Sequence, residues 1–388
     1  MTNPILEALK FGQSFWYDTL SRKLIASGEL GRMIETDGIR GVTSNPTIFE
    51  KAMVDTGDYD AALRAHIAAG AHDPKTLYER LAIEDIRAAA DLLHPVHLAS
   101  GRADGYVSFE VSPHLAHDTD GTIAEGRRLF REVDRENVMI KVPGTREGMP
   151  AVERLVGEGV NVNVTLLFGL SAYRACAEAH LRGLEVLGKA RGDLSRINGV
   201  ASFFLSRIDA VIDARVALAL AGQPDPGRKA KLERLAGKVA IANAKLAYVD
   251  FQELTRTERW RSLASLGAQP QRLLWASTGT KNKAYPKTMY VEPLIGPDTV
   301  NTVPEETFRA YLAEGLPRST ITDGVPDARR IMDTLAEVGI PLDEVTDELL
   351  QKGVESFSTS FDKLLTALEH ERQRLVGPAT AAAASHPV

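Results

Sequence analysis

Within the run VMIKVP, Lys141 is the single charge in an otherwise apolar stretch. Lysine is rarely buried without a partner, so a lysine in such a setting is either half of an ion pair or a reactive amine. Glu110, in YVSFEV, is the natural partner for the first reading. For the second, withdrawal from water favours a neutral amine, and its lone pair can attack a ketone carbonyl to form an imine. Once protonated, that imine draws electrons from a neighbouring C–C bond, which breaks to leave an enamine. No metal and no organic cofactor is needed. What is needed is one group to help expel water from the carbinolamine and another to take the proton of the departing carbon's hydroxyl. Glu110 and Asp18, both at the ends of strand-like stretches, are the carboxylates available. A different chemistry, a metal-dependent lyase, is suggested by Glu110 with His114 and His117, an H-x-x-H spacing just beyond the same stretch. Local sequence leaves these readings open.

The elements that carry these residues show themselves by alternation. In YVSFEV, Val107, Phe109 and Val111 oppose Tyr106, Ser108 and Glu110. In NVMIKVPGT, Val138, Ile140 and Val142 oppose Met139 and Lys141. In VNVNVTLLF, Val160, Val162, Val164 and Leu166 oppose Asn161, Asn163 and Thr165. A period of two puts each set on one face of a strand. An antiparallel sheet with one wet face would alternate in the same way, but it would leave the helical segments between the strands without a reason. Eight stretches read as strands: 14–18, 39–45, 106–111, 138–142, 160–166, 199–203, 272–277 and 299–303. Runs such as 122–136, 149–157 and 171–187 place apolar residues three and four apart, as crossover helices do.

Strands alternating with helices imply a parallel sheet, and eight of them close most naturally into an α/β fold of the (β/α)8 TIM-barrel type. An open doubly wound sheet is the alternative, but no G-x-G-x-x-G follows the first strand. The intervals 46–105 and 204–271 each hold more than one helix and read as insertions within a single domain spanning 1–376. The segment AGQPDPG at 221–227 reads as a turn between two helices. Beyond the eighth strand, 304–376 reads as wholly helical, a C-terminal extension, and the low-complexity tail 377–388 is expected to be disordered.

Of the 388 residues, 44% are hydrophobic and 25% charged, enough apolar material for a sizeable core. A net charge of -6 offers nucleic acid or an anionic membrane surface no general attraction, so any phosphate must be bound locally. The lone cysteine, Cys176, excludes an intramolecular disulfide and reads as a small core residue of a helix. The N-terminus lacks a basic segment followed by an apolar core, and no stretch approaches the roughly 18 apolar residues of a membrane span. A cytoplasmic protein is expected.

Six segments together resemble the transaldolase family: YDT around Asp18, GVTSNPTIF around Asn45, FEVSP around Glu110, IKVPGT around Lys141, NVTLLF around Asn163 and Thr165, and SFFLSRID around Ser202 and Arg207. The likeness runs from about Asp18 to Arg207 and more loosely to Pro304. It implies a class I aldolase-type barrel that moves a dihydroxyacetone unit from sedoheptulose 7-phosphate to glyceraldehyde 3-phosphate, giving erythrose 4-phosphate and fructose 6-phosphate in the pentose phosphate pathway. By the same resemblance, Lys141 is the imine-forming lysine and Asp18 the acid/base at the donor's C4 hydroxyl. Glu110 and Thr165 hold a catalytic water, and Asn45 and Asn163 bind hydroxyls of the three-carbon unit. Ser202 and Arg207 take the phosphate, with Phe204 on the wall. In ASTGTKNKAYPK, Lys281 stands where shorter members carry an arginine, supplying charge without the planar fork. The implied partners are small-molecule sugar phosphates, with neither nucleic acid nor membrane, and the implied assembly is a monomer or homodimer. Two further readings share most of these residues: a lysine-dependent aldolase of the fructose 6-phosphate type, and a non-catalytic sugar-phosphate binding barrel.

Overall fold

Each stretch with a polar and an apolar face becomes a strand of one closed, wholly parallel barrel in the computed structural model, which describes residues 3–54 and 56–376. The strands are β1 (Gln13–Tyr17), β2 (Gly41–Thr43), β3 (Tyr106–Glu110), β4 (Val138–Pro143), β5 (Val162–Leu167), β6 (Gly199–Phe204), β7 (Arg272–Ala276) and β8 (Thr299–Val303). They neighbour one another in chain order, and β8 closes the barrel against β1. The eight expected strands are all present, the largest difference being at β2. That strand stops at Thr43 because Asn45 turns into the N-cap of the helix Pro46–Met53, accepting a hydrogen bond from Ile48 N, while Pro46 has no N–H to offer a ladder.

Both faces of every strand are buried, one by surrounding helices and one by the barrel interior. At its N-terminal end the interior is plugged. Arg272 and Asp104 form a buried ion pair at 2.8 Å, and the hydroxyl of Ser14 donates to the other oxygen of Asp104 at 2.6 Å. Trp16 lies above them against Gly41, where any Cβ would sit 2.5 Å from the indole, so only glycine fits. With that end filled, the interior opens at the C-terminal ends of the strands, the face that carries the sites of this architecture.

The interval 46–105 holds the helices Pro46–Met53, Asp60–Ala68 and Pro74–Ala99. The interval 204–271 holds Ser206–Leu220, Pro226–Glu233, Val239–Thr255 and Glu258–Ser265. One continuous cluster of buried apolar side chains runs from Ile5 through the barrel to Leu368, with Cys176 inside it.

The C-terminal extension departs from the expectation that 304–376 is wholly helical. Between the helices Glu305–Glu314 and Val325–Glu337, residues 315–324 form an extended strap and turn. Gly315 leaves the helix in an extended conformation, and Pro317 withholds a donor. The strap is tied down by Thr320 N and Ile321 N, which both donate to Ile295 O, and by Lys245 Nζ, which donates to Thr320 O and Asp323 O. The last helix, Leu342–Val376, lies across the barrel mouth. Its Ser360 accepts from Thr47 Oγ1 at 2.9 Å, and its Phe361 ring meets Tyr78 edge-on at 5.3 Å. The expected disordered tail, 377–388, lies outside the described residues.

Candidate active site

Register decides which side chains meet. Glu110 of β3 is paired with Lys141 of β4, Lys141 with Asn163 of β5, and Pro143 with Thr165. The inward set of three neighbouring strands therefore gathers at one level, just below the mouth. There a cleft of about 590 Å³ opens. Asp18, Asn45, Lys141, Thr165, Ser202, Phe204, Arg207 and Lys281 line it. Glu110 and Asn163 do not line it: Glu110 stands behind Lys141 and Asn163 behind Ser202.

Lys141 is 4% exposed, and its Nζ donates to Ser44 O at 3.0 Å and stands 3.3 Å from Glu110 Oε2. The ion pair that competes with the reactive-amine reading thus exists. It leaves Glu110 poorly served, because both carboxylate oxygens are buried without a hydrogen-bond partner, as is Thr165 Oγ1. Buried polar atoms in stable frameworks are almost always partnered. Burial holds the Glu110 carboxyl above the ordinary carboxylate range, with Lys141 opposing and Asp18 adding to the shift.

Asp18 follows β1 and keeps a little solvent contact through the cleft while being enclosed by protein. That enclosure raises its pKa, and Lys141, Thr43 and Lys281 each pull it back. Thr43 Oγ1 is 2.6 Å from Asp18 Oδ1 and 2.6 Å from Thr302 Oγ1, a hydroxyl pair across the β2–β1–β8 seam. Asn163 is fully engaged: it donates to Ser108 Oγ at 3.0 Å and accepts from Ser202 Oγ at 2.6 Å. It orients Ser202 from behind the cleft wall.

At the far end, Arg207 in the first turn of the helix Ser206–Leu220 stands with its Cζ 5.6 Å from the Phe204 ring centroid and 6.0 Å from that of Phe357. Burial lowers its pKa and no carboxylate compensates. Lys281 is lowered too, by burial first and then by Arg207. Arg207, half-buried, and Lys281, at the open rim, are two neighbouring cations that disfavour each other, and together they form a place prepared for an anion. Lys281 is therefore placed with Arg207, though it arrives from a loop more than seventy residues further along the chain.

Backbone strain gathers at the rim. Leu166, at the β5–β6 register shift, and Ser277, after β7, adopt left-handed conformations with φ of 62° and 54°. Such conformations cost non-glycine residues about 1 kcal/mol or more and concentrate at functional sites.

Two participants are absent from the sequence reading. Phe357 comes from the C-terminal helix, where its spacing from Phe361 reads only as a core stripe. Thr43 belongs to the inward set of β2, but nothing in sequence shows that it meets Asp18. The arrangement of Glu110, His114 and His117 as metal ligands does not form. His114 turns to Asp362 and His117 to Glu147, and among the described residues no group of histidine, cysteine and acidic side chains clusters as ligands would.

A cleft with a buried lysine, Asp18 beside it, Glu110 behind it and a distal cation pair is the geometry on which comparison with known proteins bears. The family described as Transaldolase/Fructose-6-phosphate aldolase matches residues 15–368. The chain is 50% identical to Transaldolase 2 of Nostoc punctiforme over 371 residues, covering 95% of this chain and 97% of that one. It is 45% identical to the transaldolase of Trichodesmium erythraeum over 377 residues, 97% and 99% of the two chains. Against the transaldolase of Saccharopolyspora erythraea it is 45% identical over 373 residues, 95% and 98%. No helix among the described residues is long and apolar enough to cross a membrane. The chain belongs to the transaldolase/fructose-6-phosphate aldolase family.

Proposed function

We propose that this protein is a transaldolase, a transferase that moves a dihydroxyacetone unit between sugar phosphates through an imine on Lys141. The observation that carries the reading is Lys141 itself: 4% exposed, 3.3 Å from Glu110, and opening into a cleft whose other end holds Arg207 and Lys281.

The donor's phosphate binds Arg207, Lys281 and Ser202, and this fixes its ketone over Lys141. The amine adds to the carbonyl carbon. Glu110, through a water shared with Thr165, donates the proton that lets the carbinolamine lose hydroxide as water, leaving the iminium. Asp18 takes the C4 hydroxyl proton, the C3–C4 bond breaks, its electrons pass into the iminium as an enamine, and the shortened aldehyde departs. An incoming aldehyde reverses these steps: the enamine carbon attacks it, and Asp18 returns the proton to the new alkoxide. Burial raises the Asp18 carboxyl above its ordinary range, which makes it a better proton acceptor than a free carboxylate. Asn45 holds a hydroxyl of the three-carbon unit. We read sedoheptulose 7-phosphate and glyceraldehyde 3-phosphate as the donor and acceptor, and the cytoplasm as the location.

Borohydride reduction with fructose 6-phosphate, followed by peptide mass mapping, tests this. A dihydroxyacetone-derived mass on the peptide of Lys141 is expected, and no adduct, or one on another lysine, defeats the mechanism. Product analysis with and without acceptor aldehyde separates transfer from simple cleavage. Free dihydroxyacetone as the main product in the presence of acceptor would make the protein an aldolase.

A further inference from the structure

Among the described residues, Phe357 is the only side chain that the C-terminal helix contributes to the cleft. It is 4% exposed, and its ring centroid lies 6.0 Å from Lys141 Nζ and 6.0 Å from Arg207 Cζ. One ring thus stands between the amine and the distal cation, at the same distance from each. Its position is fixed on either side along the helix. One turn earlier, Gly353 sits on the strained Leu166, where a Cβ would come within 2.9 Å of Cδ2. One turn later, Phe361 packs on Tyr78, and Ser360 is bonded to Thr47.

A buried aromatic ring beside the lysine does two things for a lysine-bound intermediate. It favours a cationic iminium over its face, and it occupies the volume through which bulk water would approach. Glu110 and Thr165 are carried by the strands β3 and β5, with their side-chain oxygens buried and unpartnered, whereas the ring comes from the C-terminal helix.

We propose that Phe357 determines the fate of the enamine, keeping solvent off it until an acceptor aldehyde arrives. The proposal rests on the lysine-imine reading above. After the first aldehyde leaves, two fates compete for one carbon. In transfer, the enamine carbon attacks the acceptor's carbonyl. In loss, that carbon takes a proton from solvent and the iminium re-forms. Water then adds to the iminium carbon, and the carbinolamine expels the Lys141 amine and releases free dihydroxyacetone, one water being consumed for each unit lost. Phe357 acts by position, so removing it opens the second route more than it slows the first.

The experiment measures, with fructose 6-phosphate as donor and erythrose 4-phosphate as acceptor, the ratio of free dihydroxyacetone to transferred product. Deuterium entering the three-carbon unit in D2O gives an independent reading of enamine protonation. Phe357→Ala is expected to raise the ratio by about tenfold and Phe357→Leu by about threefold, with deuterium uptake rising in step. Should the alanine chain fail to fold, the leucine variant, which keeps an apolar side chain but loses the ring's outer edge, decides alone. A structural role would lower both products together and leave the ratio at the wild-type value, and that result overturns the proposal. Failure of the lysine-imine reading looks different: the unmodified protein would then give no borohydride adduct at all.

Discussion

Thr43 is the residue that adjusts Asp18. Its hydroxyl donates to the carboxylate at 2.6 Å, stabilising the charged form against burial, which pushes the other way. In the proposed reaction Asp18 must be ionised to accept the C4 proton, so the acid limb of the cleavage rate follows its pKa. Thr43→Val removes the donor and raises the pKa further. The limb in kcat is therefore expected to move to higher pH, while the plateau rate stays within about threefold, the cost of about one modest hydrogen bond. A pH–rate profile checks it, and an unmoved limb would take Asp18 out of this role. At this scale the sequence shows which face a side chain occupies but not how deep it lies. Lys141, Asp18 and Thr165 reach the cleft, while Glu110 and Asn163, chosen by the same alternation, stand behind its lining residues. Thr43 and Asp18 meet only because β1 and β2 pair as Tyr17 with Val42, a register no local pattern encodes.

The loop after β7 and the helix Ser206–Leu220 bring the two cations together, and two tyrosines clasp them. Tyr285 OH donates to Asp213 Oδ2 at 2.7 Å, and Tyr290 OH donates to Asp209 Oδ2 at 2.9 Å. Asp209 and Asp213 stand on the helix that carries Arg207, and both tyrosines belong to the loop that carries Lys281. The clasp ties the loop that carries Lys281 to the helix that carries Arg207. Tyr285→Phe, at the more exposed pair, is expected to raise KM for fructose 6-phosphate by about threefold to tenfold, the worth of about one ordinary hydrogen bond. kcat is expected to hold, and unphosphorylated dihydroxyacetone as donor is expected to be unaffected. An equal loss with both donors would show a general disturbance. Elements were the most legible level, because period-two and three-to-four spacing survive in any window of the chain. The strap at 315–324 departs from the helix expected there: Gly315 and Pro317 interrupt the helix, and bonds from Lys245 and to Ile295 hold the chain extended. The place of the last helix was hidden for a related reason: Gly353 and Phe357 read as ordinary helix positions until the barrel is closed beneath them.

Over the whole molecule, one contribution to acid sensitivity comes from a residue outside the cleft. His180, on the helix Leu170–Lys189, is 1% exposed, with neither ring nitrogen hydrogen-bonded and Gly199 packed against its edge. Burial pushes its pKa down to about 4, whereas an unfolded histidine titrates near 6.5. The folded chain thus binds fewer protons than the unfolded chain between those values. His180 contributes full stability above pH 6.5 and loses it as pH falls toward 4. Asp209 runs the other way. Its carboxyl is raised to about 6 by burial, so it favours the folded state as pH falls below 6 and offsets part of the loss. His180→Leu removes the first contribution and keeps the second. Denaturant unfolding at pH 7 and pH 5 is expected to show the variant losing about 2 kcal/mol less than the parent over that interval, the value of about 1.5 pKa units. The comparison is internal to each protein, so a packing change from the shorter side chain alters both pH values alike and cancels. Parallel losses in parent and variant would mean that His180 gains access to solvent or a partner before the chain unfolds, and the acid limit of the fold would then belong to another group.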